Sequence, residues 1–480
     1  MSSGAASDRV VRTVAVIGGG VAGIAAAVRA AESGWRVILL ESSGRLGGRA
    51  GSFDDVRSGL ELDVGQHVVL GCCTNILELY DRLGVLDQLD WQNTLWFARG
   101  AGAFDALSIT PWIPAPLHAL PSFARMRLLR LGEKWSISRA LLAILRLGPK
   151  GRVAWQGRPF GEFLSQHRQS ARAVECFWDP IVLSACNLSC ARCEATHALK
   201  VVDEGLLAHP FAGALGVSRV PLSQLYGATE SIITQAGGEV RFGTTAKALA
   251  FDGARITGVV CDDGVIPVQA VITALPPDRL ARLCSDTLRA KDKRLANLER
   301  FLFSPILGVH LAFRRRVMTT PNLALPTRLT HWLFSHDAPT NDGCVQRVSA
   351  VVSSAEAWIG LSESAITERV LADLRWAIPE CRNEDLLWSR PILERHATFA
   401  GVPGIESIRP RARTEAGDLR GGVENLFLGG EWTDTGWPST MEGAARSGFA
   451  AATACTNSTS GVAADLPPAT LVRWARLLSN

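Results

Sequence analysis

The chain has 480 residues, of which 47% are hydrophobic and 20% are charged. This length and apolar content exclude wholesale disorder and predict two or three domain-sized units with large cores. The 50 basic residues nearly balance the 46 acidic ones, for a net charge of +4, so we expect no nucleic acid among the partners.

Residues 1–12 are polar and are predicted to be disordered. They hold no apolar core of the kind that a signal peptide needs, and charges interrupt every apolar stretch before it reaches the length of a membrane span. We therefore expect a cytoplasmic protein. The eleven cysteines, an odd number, then indicate reduced thiols rather than a disulfide framework.

The first predicted elements form a complete βαβ unit. A β-branched run at Val14–Ile17 predicts a strand buried on both faces, and the alanine-rich stretch Ile24–Ser33 predicts a helix. Gly34 ends that helix, and Arg36–Leu40 predicts a second strand.

Between the first strand and the helix, Gly18, Gly20 and Gly23 have the G-x-G-x-x-G spacing. They allow, in that order, a tight turn, close approach of a pyrophosphate to the backbone, and packing of the helix on the strand. Ala22 belongs to the same predicted cofactor loop, at a helix N-terminus whose free N–H groups suit phosphate. Glu41 ends the second strand, where a carboxylate can bind a ribose. The unit predicts a dinucleotide site.

Two arginines and two glycines follow directly: Arg45, Gly47, Gly48 and Arg49. Arginine forms paired hydrogen bonds to phosphate, and glycine permits close backbone approach. This E-x3-R-x-G-G-R run, which begins at Glu41, resembles the flavin-binding amine oxidase and phytoene desaturase superfamily. The resemblance implies FAD as the cofactor.

Two segments near the other end resemble FAD-binding parts of the same superfamily. Glu424–Thr433 predicts a short strand that ends in a glycine turn, at Gly430, and an acid, Glu431. In the superfamily the corresponding acid binds the ribityl chain. Pro438–Gly448 opens a helix whose N-terminus, at Met441, is expected to face the flavin pyrimidine edge.

A third segment, Gly238–Ala246, looks like the superfamily strand whose end, near Ala246, touches the adenine through its backbone. These separated segments predict an α/β fold in which a discontinuous Rossmann-type FAD-binding domain is interleaved with an α+β substrate-binding domain. The FAD-binding domain is assigned residues 13–90, 206–278 and 411–455, the substrate-binding domain 91–205 and 279–410, and a C-terminal tail 456–480.

The stretch Asp63 to His67 has a D-x-G-x-H pattern. It resembles the segment that follows the arginine–glycine run and lies beside the flavin in related desaturases, which makes Gly65 and Gln66 predicted cofactor contacts. His67 and Asp63 are the candidate proton donors. A purely structural role for His67 is the alternative.

From about Val14 to Ala452, the chain resembles the squalene-associated FAD-dependent desaturase group, the hydroxysqualene dehydroxylases of bacterial hopanoid synthesis. The more specific similarity is in Ser184–Asn187 and Gly436–Thr440. Two departures are Glu431, where aspartate is more usual, and Cys186, where leucine is.

The resemblance implies reductive removal of the hydroxyl of hydroxysqualene, which gives squalene. The partners would be a long-chain isoprenoid substrate and squalene-synthase-like enzymes of the pathway. Two alternatives stay open: an oxidative desaturase acting on phytoene or squalene, and a non-catalytic isoprenoid carrier that retains FAD. An amine oxidase is disfavoured because Thr440 stands where those enzymes often carry a tyrosine.

Residues 121–152 carry eight basic side chains against one acid, interleaved with apolar residues at helical spacing. This pattern is typical of a helix on an anionic membrane surface, so peripheral contact with the inner membrane face is one interpretation. A solvated helix packed on its own domain is the other.

Cys186, Cys190 and Cys193 have a C-x3-C-x2-C spacing, which elsewhere supplies thiolates to an iron–sulfur cluster. Their small and apolar neighbours favour core packing instead. No metal site is predicted.

Overall fold

The structure is a computed structural model that describes residues 12–336, 343–414 and 422–477. Most of the segment predicted to be disordered, residues 1–11, lies outside these ranges.

The strands are β1 (Thr13–Ile17), β2 (Arg36–Leu40), β3 (Ser52–Asp55), β4 (Leu60–Asp63), β5 (Val68–Leu70), β6 (Leu89–Gln92), β7 (Thr94–Gly100), β8 (Ala103–Ser108), β9 (Leu215–Ser218), β10 (Glu239–Arg241), β11 (Ala248–Phe251), β12 (Ile256–Cys261), β13 (Gly264–Pro267), β14 (Ala270–Thr273), β15 (Phe303–Phe313), β16 (Asn322–Ala324), β17 (Trp332–His336), β18 (Gln346–Ser353), β19 (Leu386–Phe399) and β20 (Leu426–Leu428).

The helices are α1 (Val21–Glu32), α2 (Thr74–Arg82), α3 (Leu120–Arg125), α4 (Leu131–Arg152), α5 (Phe160–Gln166), α6 (Ala171–Ala173), α7 (Asp179–Cys186), α8 (Ala195–Val202), α9 (Thr229–Gln235), α10 (Pro277–Leu283), α11 (Asp286–Lys291), α12 (Glu363–Ala377), α13 (Met441–Thr456) and α14 (Thr470–Leu477).

A five-stranded parallel sheet, in the order β10-β2-β1-β14-β20, forms the nucleotide-binding centre. This is the order of a Rossmann half, and its strands come from three distant parts of the chain. The predicted fold class, with its discontinuous Rossmann-type centre, is confirmed. The strand predicted over Gly238–Ala246 is shorter than expected, because only Glu239–Arg241 pairs with β2.

Helices α1 and α13 pack closely on this sheet because small residues line their contact. A Cβ built on Gly448 would lie 2.1 Å from the carbonyl oxygen of Ala22. Ala22, Ala25 and Ala26 are buried in the same layer. The two helices that begin at the predicted cofactor motifs therefore lie side by side.

A seven-stranded sheet, in the order β19-β15-β18-β17-β16-β7-β8, faces the nucleotide-binding centre. Side chains alternate along its strands: Leu307, Val309 and Leu311 of β15 enter a core with α12, and His310 is turned to the other face. That face meets the Asp63–His67 segment, since a Cβ on Gly308 would lie 3.4 Å from Gly65 Cα.

The helices α3 to α8 form a separate layer around the buried rings of Phe160, Phe163 and Trp178. Residues 121–152 are not one helix: α3 ends at Arg125, α4 begins at Leu131, and Gly148 interrupts α4 with φ +56°. The predicted C-terminal tail contains α14, whose Val472 is buried in this layer. In the three described ranges, no helix is both long and apolar enough to cross a membrane.

Candidate functional site

Two glycine loops face each other at the carboxyl end of β1, and we call residues 18–23 and 45–51 together the glycine cradle. Gly18 takes φ +103°, and a Cβ on Gly23 would lie only 1.7 Å from the Gly18 carbonyl oxygen. The described atom nearest to a Cβ on Gly20, outside its own segment of chain, would be the Gly47 carbonyl oxygen, 4.0 Å away. Gly20 thus borders open space, as backbone that receives a pyrophosphate must.

The arginine–glycine run completes this cradle. Gly47 N donates to the Gly19 carbonyl oxygen at 2.8 Å, and Gly47 itself has φ +110°. A side chain on Gly48 would press on Gly20, with its Cβ 3.2 Å from Gly20 Cα. Both motifs therefore need glycine for the same reason, which is the closeness of their backbones.

Glu41 lies at the end of β2 and is almost fully buried. Its carboxylate accepts hydrogen bonds from Gly19 N and Ser43 N, each at 2.7 Å. Oε1 also accepts from Ser42 Oγ at 3.4 Å, so Oε2 keeps a further acceptor position, at which a ribose hydroxyl can still bind. Thr244 N donates to the Glu41 carbonyl at 2.9 Å, which brings the Ala246 segment beside it.

The two arginines of the run have different surroundings. Arg45 is paired with Glu61 at 2.9 Å and with Asp54, so its guanidinium holds the β3–β4 hairpin, and its contact with a phosphate stays a prediction. Arg49 pairs with Glu431 at 2.7 Å and donates to the Ala397 carbonyl at 2.9 Å.

The Arg49–Glu431 pair joins motifs that are 382 residues apart in sequence. Gly430, at φ +127°, donates its N–H to Ser447 Oγ at 2.8 Å. Thr440 caps α13 by accepting from Gly443 N at 3.1 Å, and half-buried Met441 is the first helical residue. The acid, the glycine turn and the helix N-terminus are thus fixed together.

Arg409 is a residue beside the site that the sequence analysis missed. Its fully buried guanidinium donates to the Glu431 carbonyl at 3.0 Å and to Thr435 Oγ1 at 2.9 Å, so it shapes the loop that carries Glu431. Glu406 pairs with Arg409 at 2.8 Å and with His197 at 2.7 Å. Burial alone would raise the pKa of Glu406, but the hydrogen bond from His197 and the charge of Arg409 outweigh it and hold that pKa at about 2.

His67 lies at the end of the Asp63–His67 segment and is half-buried. Its Nδ1 is 2.8 Å from the Gly65 carbonyl, so Nδ1 carries the proton. Burial lowers the pKa of His67, and the charge of Arg49 lowers it further. Among the described residues none is hydrogen-bonded to His67 Nε2, which leaves this nitrogen free for proton exchange.

Asp63 is placed differently. Its carboxylate Oδ1 accepts from Ser52 Oγ at 2.7 Å and from Leu222 N at 2.9 Å. Both donors are groups of the protein itself, so the Asp63 carboxylate holds the Ser52 side chain and the Leu222 backbone in place. This placement favours a structural role.

Polar side chains connect the seven-stranded sheet with the Asp63–His67 segment. They are His310, Ser349, His336 and Gln66, and we call them the imidazole chain. His310 Nε2 donates to the Asp63 carbonyl at 2.9 Å, and Ser349 Oγ lies 3.4 Å from His310 Nδ1 and 3.2 Å from His336 Nε2. His336 Nε2 is also 2.8 Å from Gln66 Oε1. Burial lowers the pKa of His310, which favours its neutral imidazole.

Sequence reasoning missed His310 and His336 because they lie on β15 and β17, more than 240 residues from the segment they hold. The available signal was His310 itself, a polar residue at an inward position of the otherwise apolar strand β15. Gln66, predicted to contact the cofactor, is tied to this chain.

The three clustered cysteines are buried next to one another. A hydrogen bond between the Cys193 and Cys186 thiols, together with burial, raises the pKa of Cys193 well above its usual value, and burial beside Asp179 does the same for Cys190. A protonated thiol is a poor metal ligand. In the described part of the chain, no group of histidine, cysteine or acidic side chains has the arrangement of a metal site.

The observed geometry fits a flavin nucleotide. The cradle has room at Gly20 and free backbone N–H groups at the start of α1, and Glu41 can take a ribose. Glu431 is held beside the cradle by Arg49, and the loop that carries it leads to the start of α13.

The family model described as flavin containing amine oxidoreductase matches residues 21–456. The hydroxysqualene dehydroxylase of Sinorhizobium fredii (strain NBRC 101917 / NGR234) is 26% identical over 452 residues, 92% of this chain and 97% of that protein. The zeta-carotene desaturase, chloroplastic/chromoplastic, of Solanum lycopersicum is 23% identical, over 91% of this chain and 79% of its own.

A solved oxidoreductase of Methanosarcina mazei has the same fold, with a TM-score of 0.70 at 17% identity over 91% of this chain and 98% of that one. The predicted family resemblance is confirmed. Because the family match spans most of the chain, from residue 21 to residue 456, the protein is a flavin-dependent oxidoreductase that belongs to the flavin containing amine oxidoreductase family.

Proposed function

We propose that the protein binds FAD and removes the hydroxyl group of hydroxysqualene reductively, releasing squalene and water. The observation that carries this proposal is the similarity to a hydroxysqualene dehydroxylase, which runs over 92% of this chain and 97% of that protein. It therefore takes in the substrate-facing sheet and helices as well as the cofactor motifs.

The geometry around His67 supports a role in protonating the leaving group. The substrate is an allylic alcohol: when its oxygen accepts a proton from His67 Nε2, the C–O bond breaks, water leaves, and the positive charge is delocalised. Reduced FAD would supply the hydride that completes the new C–H bond. The Gly65 carbonyl holds the other nitrogen of His67 and so orients the ring.

An oxidative desaturase is the second candidate, favoured by the similarity to a zeta-carotene desaturase. That reaction takes hydrogen from the substrate, so neutral His67 would act as a base. The two candidates therefore predict opposite pH dependence. Because the pKa of His67 is lowered, a dehydroxylase should gain activity about tenfold per unit as the pH falls toward that pKa. A desaturase should keep its activity over the same range and lose it only once the pH falls below that pKa.

The test is anaerobic incubation of photoreduced, FAD-loaded enzyme with hydroxysqualene across a pH series, followed by gas chromatography. The proposal expects squalene, with His67→Gln forming it at least 100-fold more slowly. His167→Gln, a change in the helical layer, should leave the rate unaltered. Oxidised enzyme that forms new double bonds in a polyene, without squalene from the alcohol, would identify the desaturase.

If neither reaction occurs and no donor reduces the bound flavin while lipid still co-purifies, the protein is an isoprenoid carrier. Loss of FAD from an otherwise folded protein in this assay would leave the dinucleotide assignment without support.

A further inference from the structure

The outward face of α4 carries both apolar and basic side chains. Leu131, Trp135, Arg139, Leu142 and Arg146 recur at helical intervals and so lie on one stripe. Leu131 is 84% exposed and Trp135 is 69% exposed. Large apolar side chains in water are unfavourable unless another surface covers them.

The arginines of this stripe border a pocket of about 490 Å³. Arg139 and Arg146 come from α4, and Gln166, His167 and Arg168 come from the end of α5 and the turn after it. None of the three guanidinium groups forms an ion pair with a carboxylate of the described residues. Burial lowers the pKa of His167, and the charge of Arg139 lowers it further, so the pocket is electropositive without relying on that histidine.

More exposed apolar side chains lie on elements next to this layer. Helix α14 crosses α4 near Gly148, where a Cβ would lie 3.3 Å from Arg476, and it exposes Trp474 by 65% and Leu477 by 72%. Trp112, in the segment before α3, is 83% exposed. An exposed tryptophan combines an apolar ring with a polar N–H, which suits the boundary between lipid and water.

We propose that the pocket of Arg139, Arg146 and Arg168 binds the phosphate of an anionic phospholipid headgroup. Arginine is suited to phosphate because its planar fork donates two parallel hydrogen bonds, and three unpaired guanidiniums match one or two negative charges. The neighbouring Leu131 and Trp135 enter the interfacial region of the bilayer, where their exposure is no longer unfavourable. This proposal is independent of the reaction assigned above.

The exposed apolar side chains beside the pocket favour a lipid over a soluble phosphate, since both ligands satisfy the positive charge. A soluble anion would need only the pocket, whereas the structure places exposed Leu131, Trp135 and Leu142 on the same stripe as two of its arginines. Basic groups near an anionic membrane each contribute about fivefold to binding. The helix is therefore a surface contact whose arginines select the lipid charge.

The test uses the full-length, FAD-loaded protein in flotation assays with vesicles of phosphatidylcholine alone or mixed with phosphatidylglycerol. We expect binding only to the mixed vesicles. Arg139→Gln/Arg146→Gln/Arg168→Gln should weaken it roughly 100-fold, since three basic groups are lost. The control Arg36→Gln/Arg57→Gln/Arg382→Gln removes the same charge from exposed arginines elsewhere and should weaken it far less.

A second variant, Leu131→Gln/Trp135→Gln, should lower vesicle binding at unchanged charge. Equal losses in the pocket variant and the charge-matched control would overturn the proposal, because net charge alone would then explain binding. Calorimetry with inorganic phosphate distinguishes the remaining source: phosphate binding that the pocket variant loses, with vesicle binding intact, would assign the pocket to a soluble anion. Flavin absorbance and thermal unfolding verify that each variant is folded.

Discussion

The glycine cradle and the imidazole chain lie on opposite sides of the Asp63–His67 segment, yet they hold it by different means. In the cradle, backbone touches backbone, so its precision comes from the absence of side chains. In the imidazole chain, hydrogen bonds connect four side chains, which come from three distant strands and one loop. The first arrangement tolerates no added atom where its backbones meet, as at Gly23, whereas the second can lose a link and keep its ends attached.

The largest effect is expected in the cradle, where substitution of one glycine should disrupt folding and substitution of another should disrupt only cofactor binding. Gly23→Ala would place a methyl group 1.7 Å from the Gly18 carbonyl, so α1 can no longer pack on β1, and we expect a loss of more than about 4 kcal/mol and little folded protein. Gly20→Ala has room in the protein itself, so the flavin-free protein should be as stable as the wild type.

Flavin absorbance and thermal unfolding of the two variants are the measurements. Gly20→Ala should fold yet lose most of its flavin, because its methyl group occupies the space beside the pyrophosphate. Full flavin content in Gly20→Ala would show that the open space beside this residue is not the phosphate site.

Asn187 links the helical layer to the seven-stranded sheet by side-chain bonds of the same kind as the imidazole chain, but it has no substitute. Its buried amide donates to the Ser304 carbonyl and Thr398 Oγ1 and accepts from Ser354 N at 2.7 Å. Asn187→Ala should lower the free energy of unfolding by about 4 kcal/mol, since these groups lose their partners inside the protein.

The backbone at Asn187 is left-handed, with φ +53°. Asn187→Gly removes the same hydrogen bonds but suits this conformation, so it should be about 1 kcal/mol more stable than Asn187→Ala. Denaturant unfolding at constant flavin concentration measures both. Equal stabilities would mean that the αL backbone adds nothing and that the hydrogen bonds account for the whole loss.

Glu406 lies beside the loop that carries Glu431 and makes part of the protein's stability depend on pH. Its pKa is about 2 in the folded protein against an ordinary value of 4.5. A depressed carboxyl pKa stabilises the fold above the unfolded value, so about 3 kcal/mol is present above pH 4.5 and is lost as the pH falls toward 2. Glu406→Gln should remove this part of the acid dependence in urea titrations, and an unchanged slope would contradict it.

The cradle glycines, Asn187 and Glu406 also show why only part of the site could be predicted from the sequence. Gly18, Gly23 and Glu41 act within one βαβ unit, so local spacing carries their geometry, and the parallel strands, α1 and α13 follow from hydrophobic runs and small residues. Arg409, Asn187 and His310 act across the fold, and nothing adjacent to them in sequence specifies their partners. The break in α4 at Gly148 and the docking of α14 likewise depend on tertiary packing, which no periodicity encodes.

The smallest effect is expected at Ser349, in the middle of the imidazole chain. Each neighbouring imidazole keeps a second partner, the Asp63 carbonyl for His310 and Gln66 for His336, so Ser349→Ala should cost only about 1 kcal/mol of stability. The stronger signature is in titration. Since His310 Nε2 donates to a carbonyl, Nδ1 of the neutral ring must accept from Ser349, and this bond favours the neutral form.

Removing the hydroxyl should therefore raise the pKa of His310 toward its ordinary value, even though the fold is intact. NMR titration of the protein with labelled histidines measures this, with His310→Gln assigning the resonance and Ser349→Thr restoring the donor. A pKa of His310 that does not move in Ser349→Ala would mean that burial alone keeps the ring neutral, and the imidazole chain would then be two separate contacts rather than one connected path.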